Sequence, residues 1–347
     1  MPSWRQRWRR VLGTLLSICL LASLGACGAA TNGGDAEHTH LLIMVGGLDK
    51  QIYLPNMLAK QLGYFDQAGL DVSLLDEASG QSAESLVLAG QVDAGSGSYN
   101  HTIELQATGH QMECVVQLNI APGEAEIVSA KEASQITSVA DLKGKNLGVT
   151  EPGSGTQALT IALLHRAGIA PNQVHFVPVG ADDTFIAAMQ QGQIDAGMTT
   201  EPTISRLVSS GIGRVLVDLR TPQKTAAALG GPYPFICVFM RDDYVQSHQV
   251  IVQKLVNVYV KTLKWIQAHM AEQIADEMPT GYYANNKALY VTALQNQLSL
   301  FSPDGTMPAG GPESVLAIER QTNQISATQQ IDLSLTYTNQ FVNAATG

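Results

Sequence analysis

The sequence predicts an α/β protein built from two similar lobes, on three observations. A phrase is duplicated: Gly90-Gln91-Val92-Asp93-Ala94-Gly95 returns as Gly192-Gln193-Ile194-Asp195-Ala196-Gly197, 102 positions later. Short uninterrupted apolar runs, such as Leu41-Leu42-Ile43-Met44-Val45, end in glycine or polar loops, as strands of a parallel sheet covered on both faces do. The 347 residues are enough for two domains, and 45% hydrophobic with only 14% charged residues argues against a disordered or coiled-coil chain.

The N-terminus reads as an address. Arg5, Arg7, Arg9 and Arg10 precede an uncharged stretch over 11–26, which is too short for a spanning helix but suits a signal peptide. It closes on Leu24-Gly25-Ala26-Cys27, which resembles the bacterial lipobox and implies that Cys27 carries a lipid anchor after export. Residues 1–26 are then the signal, 27–38 a Gly/Ala/Asn-rich flexible tether, and 39 onward the folded body. Without the signal, 16 basic side chains face 30 acidic ones, a net charge of −14. That balance repels phosphate backbones and excludes a nucleic-acid partner. No other apolar run approaches the roughly 18–20 residues of a membrane span.

Within the body, the repeat predicts helices over 83–89 and 184–190, each stopped by a glycine and followed by a short strand at V/I-D-A-G. The polar stretches Ser96-Gly97-Ser98-Tyr99 and Thr199-Thr200-Glu201-Pro202 read as the loops beyond those strands. In such sheets ligands bind past the carboxyl ends of the strands, so both loops belong at one site between the lobes. Further strands are expected at 41–45, 145–149, 176–179 and 235–239, and helices over 157–166 and 249–269, the latter with a core-facing side. From Gly310 onward one more helix and mixed structure are expected. Cys114 and Cys237, the cysteines left in the body, lie in apolar strand-like runs and read as buried free thiols, although export permits a bridge. The repeated Asp93 and Asp195 read as structural, each tying its own loop together.

The order of phrases resembles the periplasmic substrate-binding proteins of ABC importers, in the nitrate, sulfonate, taurine and thiamine-precursor branch. The matching phrases are Leu62-Gly63-Tyr64-Phe65, Ala68-Gly69-Leu70-Asp71-Val72 and Ala89 to Gly95, then Ser138-Val139-Ala140-Asp141-Leu142-Lys143-Gly144-Lys145, Gly153-Ser154-Gly155-Thr156 and Gly192 to Pro202. The resemblance implies the type II periplasmic-binding-protein fold, with two α/β lobes joined by crossover strands near 119–123 and 232–237. Lobe 1 is then 39–120 plus 236–347, and lobe 2 is 121–235. It also implies a monomer that closes on a small molecule and delivers it to an ABC permease with its ATPase.

Anion capture is served by backbone N–H groups at a helix N-terminus. Gly153, Ser154, Gly155 and Thr156 stand where a strand turns into a helix and form the expected cradle, with Gly47 and Lys50 after the first strand. Ser79, Gly80, Ser98 and Tyr99 are the candidate donors of lobe 1, His101 a further contact, and Thr199, Thr200 and Glu201 face the cleft on the family pattern. A glutamate there suits a ligand carrying an amine as well as an acid group. No catalytic, metal or cofactor site is expected. The chain has no G-x-S-x-G, complete G-x-G-x-x-G, P-loop or H-E-x-x-H motif, and no cysteine- and histidine-rich cluster like that of the thiamine-pyrimidine synthases that share the fold. The expected solute is an organic anion, a sulfonate or carboxylate. A neutral pyrimidine-like compound is the alternative for the ligand, and a subunit of a membrane sensor the alternative for the role.

Overall fold

The computed structural model describes residues 39–346. The signal and tether, with Cys27, lie outside the described residues. Two five-stranded mixed sheets, each flanked by helices, form the two lobes. The first contains β1 (Thr39–Val45), β2 (Leu70–Asp76), β3 (Ala94–Ser98), β4 (Met112–Gln117) and β10 (Ile236–Arg241), in the order β2-β1-β3-β10-β4. The second contains β5 (Glu124–Ser129), β6 (Asn146–Val149), β7 (His175–Pro178), β8 (Ala196–Thr200) and β9 (Gly213–Leu219), in the order β7-β6-β8-β5-β9.

The two sheets repeat one plan. In each, three parallel strands (β2-β1-β3 and β7-β6-β8) are followed by a strand running the other way, β10 or β5, which enters from the opposite lobe. The chain therefore passes between the sheets twice, over 118–123 and again between β9 and β10, the second passage carrying helix Pro222–Leu229.

The duplicated phrase has a physical reason at each position. Helices Gly80–Leu88 and Asp183–Gln191 both end near a glycine in the left-handed region, Gly90 at φ 69° and Gly192 at φ 74°. Asp93 then accepts the Leu42 N–H at 2.8 Å, and Asp195 accepts the Asn146 N–H at 2.8 Å. Each aspartate thus ties its strand to the neighbouring parallel strand rather than closing its own loop. Gly197 is needed because a Cβ there would lie 2.6 Å from the Gly148 carbonyl oxygen, and one on Gly95 would meet the Phe239 ring. Replacing Asp195 by alanine leaves the Asn146 N–H without its acceptor. It is expected to cost about 1–3 kcal/mol, read from the urea midpoint.

The main core surrounds the first sheet and takes in the inner face of helix Gln249–Ala268, while two smaller cores cover the faces of the second. Cys114 and Cys237 are buried free thiols on the paired strands β4 and β10. The stretch between residues 269 and 310, without an assignment from sequence, holds helices Ala271–Glu277 and Lys287–Gln295. Among the described residues no helix is long and apolar enough to cross a membrane.

Candidate ligand cavity between the two sheets

Two helices begin at the rim of a shared cavity. Helix Gly80–Leu88 follows β2, and its N-cap Ser79 accepts the N–H groups of Gln81 and Ser82 at 3.1 and 3.2 Å. Helix Gly155–Arg166 follows β6, with Ser154 as N-cap. The first N–H groups of a helix have no preceding turn to bond with, and the caps take only some of them, so the Gly80, Gly155 and Thr156 N–H groups remain as donors at positive dipole ends. Between them lies a narrow space lined by residues of both sheets.

The structure brings Lys50, Ser79, Gly80, Ser98, His101, Ser154, Gly155, Thr156 and Thr200 together around this space. Their availability differs. The buried Lys50 ammonium donates to the carbonyls of Gly46 at 2.8 Å and Ala78 at 2.6 Å, leaving one of its three N–H groups. The hydroxyls of Ser154 and Thr156, expected to serve a ligand, bond each other at 2.8 Å, and Thr156 Oγ1 accepts the Thr150 N–H at 2.9 Å. They hold the strand-to-helix turn, and the donors left for a solute there are backbone N–H groups. Ser98 Oγ donates to Asn100 Oδ1.

Five expected residues stand elsewhere. Tyr99 is fully buried in the first lobe, its hydroxyl 2.6 Å from Thr336 Oγ1 and its ring edge-on to Tyr337. Alternation along β8 turns Thr200 to the cavity and Thr199 away, where it donates to the Ala181 carbonyl at 2.8 Å. Glu201, expected to face the cleft, is fully buried against Arg220 at 2.7 Å and the Ser205 N–H at 2.9 Å. Gly153 is exposed beside Gln81, and Gly47 lines a neighbouring opening with Asp49, Asp76 and Asp182. Thr199 and Thr200, read from sequence as loop, are the last residues of a strand, as is Ser98.

Sequence reasoning missed Gly46, Ile52, Tyr53, Glu124, Thr150, Ala181 and Phe235, which complete the lining. Tyr53 and Ile52 form a short helical turn directly after Lys50. Glu124 opens β5, whose sequence Glu124-Ala125-Glu126-Ile127-Val128-Ser129 carries no local mark of a site. It is buried, and its Oε2 has no partner. Burial pushes its carboxyl well above the usual range against the pull of Lys50, which favours the uncharged acid, a hydrogen-bond donor.

A contact across the cavity joins the lobes. Glu151, in the loop after β6, accepts from the hydroxyls of Ser79 and Ser82, the latter at 2.6 Å. The ring of Phe235 packs so near Gly155 that a Cβ there would lie 2.6 Å from it.

Behind Glu124 on the same strand, Glu126 is fully buried, with one oxygen accepting from Thr160 Oγ1 at 3.2 Å and the other unpartnered. Burial raises its carboxyl from 4.5 to about 8, against the lowering effect of the Thr160 hydroxyl. The folded state therefore holds this proton where the unfolded chain has lost it. The stability contribution is present below about pH 4.5 and is lost as pH rises towards 8. Glu126→Gln is expected to flatten that decline and to exceed wild type in melting temperature above pH 8, in a melting series across pH.

Comparison with known proteins places this geometry. Residues 52–273 match the family described as "NMT1/THI5 like". A protein of Escherichia coli (strain K12) named for aliphatic sulfonate binding is 30% identical over 207 residues, 58% of this chain and 62% of that one. The 4-amino-5-hydroxymethyl-2-methylpyrimidine phosphate synthase of Schizosaccharomyces pombe is 26% identical over 149 residues, and the match spans only 41% of its length. A solved structure from Bordetella bronchiseptica RB50 superposes with a TM-score of 0.83 at 33% identity, covering 88% of this chain and 96% of that one. The alkanesulfonate-binding protein SsuA of Xanthomonas axonopodis pv. citri, bound to MOPS, gives 0.66 at 18% identity over 86% and 98% of the two chains. The periplasmic nitrate-binding protein NrtA of Synechocystis PCC 6803 gives 0.71 at 15% over 89% and 88%. With two mixed sheets repeating one plan around a shared cavity, the chain belongs to the NMT1/THI5-like family and has the two-lobed fold of the periplasmic substrate-binding proteins.

Proposed function

We propose that the protein is the solute receptor of an ABC importer, closing on a small organic anion between its lobes and delivering it to a membrane permease with its ATPase. The observation that carries this reading is the convergence of two helix N-termini with Lys50 on one cavity. The unspent groups there are mainly donors: the Gly80, Gly155 and Thr156 N–H groups, the third N–H of Lys50, Glu124 in its acid form, and the His101 ring. Such donors suit a singly charged sulfonate or carboxylate, because the Glu151 carboxylate stands at the rim and no arginine is among the described lining residues. The site we assign comprises Lys50, Ser79, Gly80, Ser98, His101, Ser154, Gly155, Thr156 and Thr200. Its hydroxyls are spent on holding loops, an arrangement for binding rather than turnover.

The same reading makes the protein exported and anchored through a lipid on Cys27, a monomer with lobes at 39–120 plus 236–347 and at 121–235. A neutral pyrimidine-like solute is the second reading, favoured by the unpartnered Glu124 oxygen, whose acid O–H suits a ring nitrogen as acceptor. A thermal-shift screen of residues 39–347 against alkyl sulfonates, carboxylates, nitrate and pyrimidines separates the two. A ligand at about 100 times its Kd adds roughly 2.7 kcal/mol of stability. The anion reading predicts a shift with sulfonates or carboxylates, and a shift with pyrimidines alone rejects it.

A further inference from the structure

His101 is the one cavity residue whose ring has no hydrogen-bond partner at either nitrogen, although it is fully buried at the start of helix Asn100–Ala107. A buried imidazole in that state is costly unless something outside the chain completes it. Its surroundings say what. Nδ1 lies 3.8 Å from Glu84 Oε2 on helix Gly80–Leu88 and 3.6 Å from Glu104 Oε2, one turn further along its own helix. Glu104 is in turn held by Asn100 Nδ2 at 2.7 Å. Both carboxylates stand on the Nδ1 side, so Nε2, across the ring, is the nitrogen left for the cavity.

We propose that His101 is a ligand-contacting residue, oriented through Nδ1 by Glu84 and Glu104 so that Nε2–H donates to an anionic oxygen of the solute, and that solute binding is therefore proton-linked. The inference rests on the anion-receptor reading and adds to it a positioning pair and a dependence on pH. A carboxylate behind a histidine fixes the tautomer and supports its positive charge. Burial alone would lower the proton affinity of His101, but Glu104, Glu84 and Glu151 outweigh it, and the net direction is upward. Glu84 is itself raised by burial to about 7, so its charge and that of His101 depend on each other. The other charged groups around the ring act in the same setting. Glu319, on helix Gly311–Gln321, acts on Glu104 and is bonded by the Tyr233 hydroxyl at 3.2 Å, while Lys50 and Glu124 share the cavity.

The sign follows. His101 carries its second proton below its raised folded value, so anion affinity is greatest at low pH and falls as pH rises through that value. Removing the Glu84 charge moves the fall to lower pH.

The test titrates wild type, His101→Gln and Glu84→Gln with ethanesulfonate and with the uncharged ethyl methyl sulfone, alongside nitrogen NMR of labelled histidine. Wild-type affinity for ethanesulfonate is expected to fall by about tenfold or more between about pH 6 and about pH 8.5. The sulfone is expected to bind weakly without this slope. His101→Gln is expected to be flat, and Glu84→Gln to show the fall at lower pH. Unchanged affinity and slope in His101→Gln overturn the proposal. If ethanesulfonate binds at no pH, the sulfonate form of the anion reading fails and the NMR titration decides. A His101 that releases its second proton above the ordinary imidazole value, and earlier in Glu84→Gln, sustains the positioning pair, and one that releases it at or below that value overturns it.

Discussion

Glu201→Ala is expected to destabilise the protein by about 3–5 kcal/mol, the cost of breaking a buried ion pair by removing one partner. The carboxylate is fully buried directly after β8 and serves three donors. These are Arg220 Nη1 at 2.7 Å, the Ser205 N–H at 2.9 Å and Ser205 Oγ at 3.0 Å. Arg220 keeps two bonds to Asp218, at 2.9 and 2.8 Å, which places the loss towards the lower end. Glu201→Gln retains an acceptor for Ser205 and should lose about half as much or less. Urea unfolding of the three proteins measures both differences. A loss below about 1 kcal/mol in the alanine variant would show that water replaces the carboxylate.

Gly46→Ala is expected to cut solute-dependent stabilisation by about half or more while also lowering the melting temperature. A Cβ at Gly46 would lie 2.4 Å from the Gly80 nitrogen and 2.7 Å from the Ser79 carbonyl carbon. Both are backbone atoms of the helix start that offers donors to the cavity. No rotamer relieves the overlap, so the N-terminus of helix Gly80–Leu88 must move away from β1 and from Lys50, which bonds the Gly46 carbonyl. A shift of this kind should reduce affinity at least about tenfold, equivalent to roughly 1.4 kcal/mol. Gly281→Ala, with nothing within 4 Å of its Cβ position, is the control and should match wild type in both measurements.

The repeat made the fold legible because its residues answer to local geometry. A left-handed stop at Gly90 and Gly192, an aspartate bonding the adjacent strand, and a glycine at a close approach are each demanded within one supersecondary unit. The cavity was legible where the same logic applied, at the helix starts Ser79-Gly80 and Ser154-Gly155-Thr156. It was not legible where the chain returns from the other lobe. Glu124 and Phe235 reach the cavity only because the chain crosses between sheets just before β5 and β10, and nothing within a few residues of either marks that. Glu201 and Tyr99 failed for a related reason. Both follow a strand beside true lining residues, but their partners, Arg220 and Thr336, lie 19 and 237 positions away in the chain. A polar residue near a strand end reads the same whether it meets a solute or a distant side chain.

The central claim is that a small anion binds in the cavity between the sheets. It is tested most directly by calorimetric titration of the strongest sulfonate or carboxylate from the thermal screen into wild type and into Lys50→Ala, His101→Gln and Ser98→Ala. The account predicts one site per chain in wild type, and losses of about tenfold or more for the lysine and histidine variants. Binding that persists unchanged in all three variants, or a wild-type protein that takes none of these anions, would contradict it.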